Sequence, residues 1–325
     1  DEATRLNDQV LASDRVHLGP KHPRTIGDLS SGGMLLFRAG RYAQAATQLK
    51  AALALEEEVS GPTSDRAAQL GGALGSAYMA LGRMADAERR YRATVEVLAS
   101  RRPASDFEVR GQRMNLAAVL ILLGRYADAE AQLDALVAAA RAASDDESLG
   151  LALQNLAEAL TRDGKHARAL AACREALVHD EKAFGASSRR GAEAYATLGT
   201  IHVALGQPDQ AAEAYARSID LFEHVVGVDT AELGDPLTAL GELRLTRGDA
   251  PGARALLERA VKLSAGGDPV DFARSRFALA RALLALHDPA AARTEASAAA
   301  GLLRGAGDRA AARRAQVEAW LAAHP

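Results

Sequence analysis

The sequence predicts an all-α solenoid of about seven helical hairpins stacked in series, and three observations carry that prediction. The first is a period. Seven times a tight turn is followed five residues on by an alanine: Gly40/Ala45, Gly82/Ala87, Gly124/Ala129, Gly164/Ala169, Gly206/Ala211, Gly248/Ala253, and His287/Ala292 with histidine in the glycine's place. These alanines lie 42, 42, 40, 42, 42 and 39 residues apart, a spacing that fits one two-helix unit per repeat. The second is composition. Of the 325 residues 48% are hydrophobic and only 4% aromatic; alanine and leucine dominate, and both lose little freedom in a helix. The third is a small residue, Gly33, Gly75, Ala117, Ala157, Gly199, Gly241 or Ala280, that follows a leucine in every unit but the first, where Gly32 precedes it. A small residue there lets a partner helix lie close.

Each element follows from this pattern. Residues 2–17 read as the second helix of a half-repeat. Hairpin repeats then span 24–62, 65–103, 106–144, 146–185, 188–227, 230–266 and 269–304, all within a single solenoid over residues 1–325. In the fifth, Tyr195, Leu198, Gly199 and His202 share one side of a first helix, and Ala211, Tyr215, Ser218 and Ile219 one side of a second. Spacings of three and four put each set on one stripe. Gly206 ends the first helix in a left-handed conformation, and Pro208 opens the second without wasting a donor. A capping helix over 307–323, with Trp320, closes the last exposed core.

Composition also bounds function. The formal charge of −3 gives no electrostatic reason to expect a nucleic-acid partner. One cysteine, Cys173, excludes an internal disulfide or a cysteine-based zinc cluster and fits a cytoplasmic location. The longest apolar stretch, Leu116 to Leu123, is far below the roughly 20 residues that cross a bilayer, so membrane insertion is not expected. The chain opens at Asp1, in mid-helix by its pattern, as a piece of a longer protein would.

No set of residues reads as catalytic, so neither an enzyme nor a cofactor is expected. The eight histidines never pair at metal spacing around a helical glutamate. His202 reads as a core histidine and Cys173 as a small core residue. Asp145, Asp146 and Glu147 stand where a helix begins, and capping accounts for them. Gly71-Gly72 and Gly266-Gly267 lack the strand and lysine of a phosphate loop. Arg304, Arg309, Arg313 and Arg314 form a basic cluster near the C-terminus, read as solvated cap surface.

The segments "EAYATLGTIHVALGQPDQAAEAYARSIDL" from 193, "LGSAYMALGRMADAERRYRATVEVL" from 74 and "NLAAVLILLGRYADAEAQLDALV" from 115 closely resemble the tetratricopeptide repeat (TPR). The usual period of that family is about 34. The longer period here resembles the repeat of kinesin light chains, as does the link "LGPKHPRT" at 18, with "FGASSRR" and "VGVDTAE" as decayed copies. Nearly the whole chain is covered. The resemblance implies a right-handed superhelix whose first helices line a concave face, and it says much about fold and little about function.

In that register the inner face carries Met34, Phe37 and Arg38, then Gln69, Ser76 and Met79, then Met114, Asn115, Ala118 and Ile121, then Gln154, Asn155, Glu158 and Arg162. Later units present Glu193, Thr197, Thr200, Thr238, Glu242, Arg274, Phe277 and Arg281. Flexible thioethers suit a groove for varied apolar side chains. In kinesin-light-chain-like arrays an asparagine just before the seam leucine grips a bound peptide's backbone; the resemblance implies that role for Asn115 and Asn155, against the alternative that each bonds its own neighbours. The candidate site is therefore Met34, Phe37, Met79, Met114, Asn115, Ile121, Asn155, Glu158 and Arg162, with a protein or peptide as partner. A lysine-based clamp on an acidic tail is not expected, because Lys21, Lys50, Lys165, Lys182 and Lys262 all fall outside the inner register. Two other readings stand beside this one. The chain also resembles the TPR tail of bacterial serine/threonine protein kinases, with the catalytic domain outside this sequence, and it could equally be a spacer or self-association module.

Overall fold

A computed structural model describes residues 2–306 and 310–324, and among these it contains helices and no strand. Two compact units divide the chain, residues 1–163 and 164–325. The first holds α1 (Glu2–His17), α2 (Pro23–Arg38), α3 (Tyr42–Ser60), α4 (Asp65–Ala80), α5 (Met84–Ala99), α6 (Phe107–Leu122), α7 (Tyr126–Ala143) and α8 (Asp146–Arg162). The second holds α9 (His166–Phe184), α10 (Arg189–Ala204), α11 (Pro208–Val225), α12 (Gly234–Thr246), α13 (Ala250–Leu263), α14 (Pro269–Ala285), α15 (Pro289–Gly305) and α16 (Ala311–Ala323). Within each unit every helix packs on the next in sequence. Arg309, assigned above to the basic cluster, lies outside the described residues.

The hairpin turns depend on a left-handed residue. Gly82 has φ 72° and Gly206 φ 67°, and His287, in the same place in the last hairpin, is forced to φ 63°. Only glycine takes this conformation without a Cβ clash. Elsewhere the chain uses side-chain caps: Asp145 accepts the Ser148 amide hydrogen at 3.0 Å to start α8, which accounts for the acidic triplet by capping.

The small seam residues each face a large residue sixteen positions on. A Cβ on Gly33 would meet Leu49 at 2.7 Å, on Gly75 the Tyr91 ring at 2.9 Å, on Gly199 the Tyr215 ring at 2.6 Å and on Gly241 Leu257 at 2.6 Å. Where the facing residue is tyrosine, its hydroxyl passes through the gap to a hydroxyl beside the glycine. Tyr91 reaches Ser76 at 2.9 Å and Tyr215 reaches Thr200 at 3.1 Å. Both rings are buried, so these bonds satisfy a phenol that would otherwise be costly inside.

A second recurring device joins one hairpin to the next. Asp14, Glu56 and Asp180, near the ends of α1, α3 and α9, are buried, and each faces an arginine ten residues on: Arg24 at 2.7 Å, Arg66 at 3.7 Å and Arg190 at 4.0 Å. Ser64 also donates to Glu56 at 3.2 Å. Asp180 is fully buried, and neither of its carboxylate oxygens has a hydrogen-bond partner. Burial first, with Glu193 adding to it, pushes its pKa above the ordinary range against the pull of Arg190 and His179.

At the end of the second unit, α16 covers the alanine face of α14 and α15. Val317 is buried against Ala273, Ala280, Ala296, Ala299, Ala300 and Leu303, with Trp320 at the edge. Trp320 also stacks on His324 and meets Phe277 edge-on at 5.7 Å.

Candidate functional site

Within the first unit α2 touches α4, α4 touches α6 and α6 touches α8, so the first helices form one layer. Met34 on α2 is exposed, and Phe37 is half-buried with its ring 5.3 Å from that of Tyr42. Met79 on α4 and Met114 and Asn115 on α6 are half-buried. On α8, Asn155 and Glu158 are half-buried and Arg162 is exposed.

These residues differ in what they have left to offer. Asn155 donates its amide to the Leu151 carbonyl at 2.9 Å, one turn back on its own helix, so the local alternative holds for that hydrogen. Asn115, one repeat earlier, has no hydrogen-bond partner within the described residues. Its amide keeps both donor and acceptor capacity at the edge of solvent. Glu158 and Arg162 pair with each other, Nη2 to Oε1 at 3.0 Å.

Several inner-face expectations need correction. Ile121 is only 5% exposed and offers a ligand almost no surface. It holds the place in its repeat that Phe37 and Met79 hold in theirs, but a short β-branched side chain does not reach out as far as those two. Ser76 and Thr200 are committed to the buried tyrosines. Thr238 is buried, donating to the Gly234 carbonyl at 2.7 Å and accepting from Ser275 at 2.8 Å. Phe277 packs against the terminal helix through Trp320.

One residue on this layer escaped the sequence reading. The Gln112 side chain lies where a Cβ on Gly72 would be, with Nε2 at 2.5 Å and Oε1 at 2.7 Å. Its Oε1 is buried without a hydrogen-bond partner. The signal was the Gly71-Gly72 pair in mid-helix, which is costly in a helix unless another group needs the space.

The first helices of the second unit carry mostly charge that is already paired. Arg274 bonds Asp235 at 2.6 Å and Glu242 at 2.7 Å. Burial works against its charge, but the two carboxylates outweigh that and hold the guanidinium above its ordinary pKa. Arg189 pairs with Glu193 and Glu232.

The other chemically capable side chains are structural. His202 is 5% exposed, and its Nδ1 donates to Gln207 Oε1 at 2.7 Å. Cys173 is buried and donates to the Ala194 carbonyl at 3.4 Å; burial, then the nearby Asp180, pushes its thiol up to about 12. A thiol this hard to ionise is a poor nucleophile. Near the C-terminus Arg304 lies 3.8 Å from Glu318 and Arg313 donates to the Val270 carbonyl. Among the described residues no three histidine, cysteine or acidic side chains gather as a metal site would require, and no helix is long and apolar enough to cross a membrane.

Left-handed turns at a fixed period, small-to-large seams and serial helix packing define a tandem array of two-helix repeats. Tetratricopeptide repeat profiles match residues 32–105, 112–135, 149–224 and 234–259, and the chain belongs to the tetratricopeptide repeat family. Among solved structures it is similar to BtubC (BKLC) from P. vanneervenii, at 22% identity and TM-score 0.57 over 70% of this chain and 92% of that one. An array of nearly identical TPR-like repeats, of the kinesin-light-chain type, from Podosopora anserina matches at 17% identity and TM-score 0.56, over 62% and 97% of the two chains. The apo form of the quorum sensor NprR from B. thuringiensis matches at 15% identity and TM-score 0.66, over 86% and 76%. No curated protein sequence matches the chain.

Proposed function

We propose that this chain is a protein-interaction scaffold, and that the first-helix layer of residues 1–163 takes a peptide or an extended segment of a partner protein. The observation that carries this reading is Asn115. Its amide is unspent and lies on a layer that also presents the accessible side chains of Met34, Phe37, Met79 and Met114. An amide supplies donor and acceptor to a peptide backbone whatever its sequence, and thioethers adapt to varied side chains. Asn155 serves with its remaining capacity, and the Glu158–Arg162 pair borders the site. Membership of a family of repeat scaffolds supports the reading, as does the likeness to a quorum sensor, a regulatory protein.

The test is a peptide selected by display on the whole chain. A neutral hydrogen bond contributes about 0.5–1.5 kcal/mol, so Asn115→Ala should weaken the selected peptide roughly 2–10-fold with helicity unchanged. Asn155→Ala should weaken it less, because that amide is already engaged. Equal affinity in Asn115→Ala, Met79→Ala and the parent chain would defeat the assignment.

A further inference from the structure

The second helices of the first unit build a separate pocket. Between α3 and α5 lies a cavity of about 350 Å³ lined by Lys50, Tyr78, Arg83, Asp86, Arg89 and Arg90. Four cations thus face one carboxylate. Two comparable outer grooves in the second unit are balanced. One sets Arg174 and Arg217 against Glu213 and Asp220, and the other sets Arg244 and Arg247 against Glu213 and Asp249.

The lone carboxylate is already used. Asp86 accepts Arg83 Nε at 2.7 Å and Nη2 at 2.5 Å on one oxygen, and Arg89 on the other. The Arg83 hydrogen bond, with support from Arg89, holds Asp86 below the ordinary carboxylate range and therefore ionised. Arg83 is fixed further by lying over the Tyr78 ring, 4.4 Å from its centroid.

The remaining donors keep hydrogen-bonding capacity. Among the described residues Lys50 has no hydrogen-bond or ionic partner, and it is exposed. Arg90 is ion-paired with Glu57 at 3.9 Å, too long for a hydrogen bond, so its guanidinium N–H groups keep hydrogen-bonding capacity. Among those residues the Tyr78 hydroxyl has no hydrogen-bond partner either, although Tyr78 is only 8% exposed. An ammonium, a guanidinium and a phenol therefore converge on one concavity with excess positive charge.

We propose that this pocket binds a dianionic phosphate group, carried by a monoester or free. A dianion with three acceptor oxygens matches both the surplus charge and the set of donors, and charge-assisted bonds to guanidinium and ammonium are the strong ones. The site is independent of the peptide layer, being built from α3, α5 and the end of α4.

The test uses the whole chain at fixed ionic strength, titrated calorimetrically with phenyl phosphate, phenyl sulfate and inorganic phosphate. Phenyl phosphate should bind saturably at one site, and phenyl sulfate, the same shape with one charge fewer, about ten-fold more weakly or worse. Lys50→Gln/Arg90→Gln should lose about ten-fold or more in phenyl phosphate affinity, and Lys50→Gln alone, a change on an exposed unpartnered side chain, a measurable part of that. Inorganic phosphate binding as tightly as phenyl phosphate supports a free phosphate as the ligand; a preference for phenyl phosphate supports a monoester. Absence of saturable binding, equal affinity for the sulfate, or unchanged affinity in the double variant would overturn the site.

Discussion

Adding one methyl group at Gly199 should destabilise the second unit, although the same change in an open helix would stabilise it. Glycine in a helix interior costs roughly 0.5–1 kcal/mol relative to alanine, so propensity alone favours Gly199→Ala. Packing opposes it. The new Cβ would lie 2.6 Å from Cδ1 and Cε1 of Tyr215 and 2.9 Å from Cγ, whereas real Cβ contacts stay beyond 3.0 Å. The ring has little room to retreat, being 4% exposed and held at its far end by Thr200. Overpacking of this kind costs about 1–3 kcal/mol, so the net loss should be about 1–2 kcal/mol. The chain contains its own control: at the matching positions of the seventh hairpin, Ala280 and Ala296 lie in one buried cluster. In a Tyr215→Ala background, with the ring removed, Gly199→Ala should therefore be neutral or stabilising by about 0.5 kcal/mol, giving a coupling of about 2 kcal/mol between the sites. Urea unfolding is the assay. Trp320, the chain's single tryptophan, belongs to the second unit, so its fluorescence follows the relevant transition. Equal stabilisation by Gly199→Ala in both backgrounds would refute the idea that seam size is matched pair by pair.

Three further outcomes follow from named features. His287→Gly should raise the urea midpoint of the same transition, gaining about 1 kcal/mol by removing a left-handed non-glycine residue; an unchanged or lower midpoint would mean the histidine side chain compensates. Ala129→Leu, at a fully buried position opening α7, should cost about 1–3 kcal/mol by overpacking, read from circular dichroism; no loss would mean the α6–α7 seam has slack. Asp180 has a folded pKa above its unfolded one, so its contribution is complete below the unfolded value near 3.8 and is lost as pH rises through the folded value. Parent minus Asp180→Asn stability should therefore fall as pH rises above about 4, and a flat difference from pH 4 to 8 would show that Arg190 fully compensates the charge.

What could be read from the sequence was whatever repeats in one residue type. Turn glycines and seam alanines each have a single steric job, so the period survives and the fold class follows from it. The tie between hairpins was hidden because it repeats unevenly. Asp14, Glu56 and Asp180 occupy it, but Leu98, Ala140 and Phe222 stand at the corresponding places, so no single residue type marks it. The inner face was less legible still. A register says which way a Cα–Cβ bond points, not how far the side chain travels, and Ile121 fell short where Phe37 and Met79 did not. Nor does a register reveal whether a hydroxyl is spent. Ser76 and Thr200 look free until the tyrosine fifteen residues on is placed beside each, and Gln112 becomes visible only once Gly72 is seen to make room for it.

The capacity to bind follows from polar groups the fold has not already used, and on that measure the two units differ. In residues 164–325 the first helices spend their polar groups on themselves. Thr200 holds Tyr215, Thr238 holds Ser275, Arg274 holds Asp235 and Glu242, and Arg189 holds Glu193 and Glu232. A ligand there would have to break charge-assisted bonds before making its own, and each such bond contributes more than a neutral one. In residues 1–163 the corresponding layer presents thioethers, a phenyl ring and the unengaged amide of Asn115, so at those positions a ligand displaces only water. If that reasoning is right, Met34→Ala, Met79→Ala and Asn115→Ala should weaken a selected peptide, whereas Arg274→Gln should lower stability and leave peptide affinity untouched. Affinity that instead tracked Arg274 would place the working surface in the second unit and reverse the assignment.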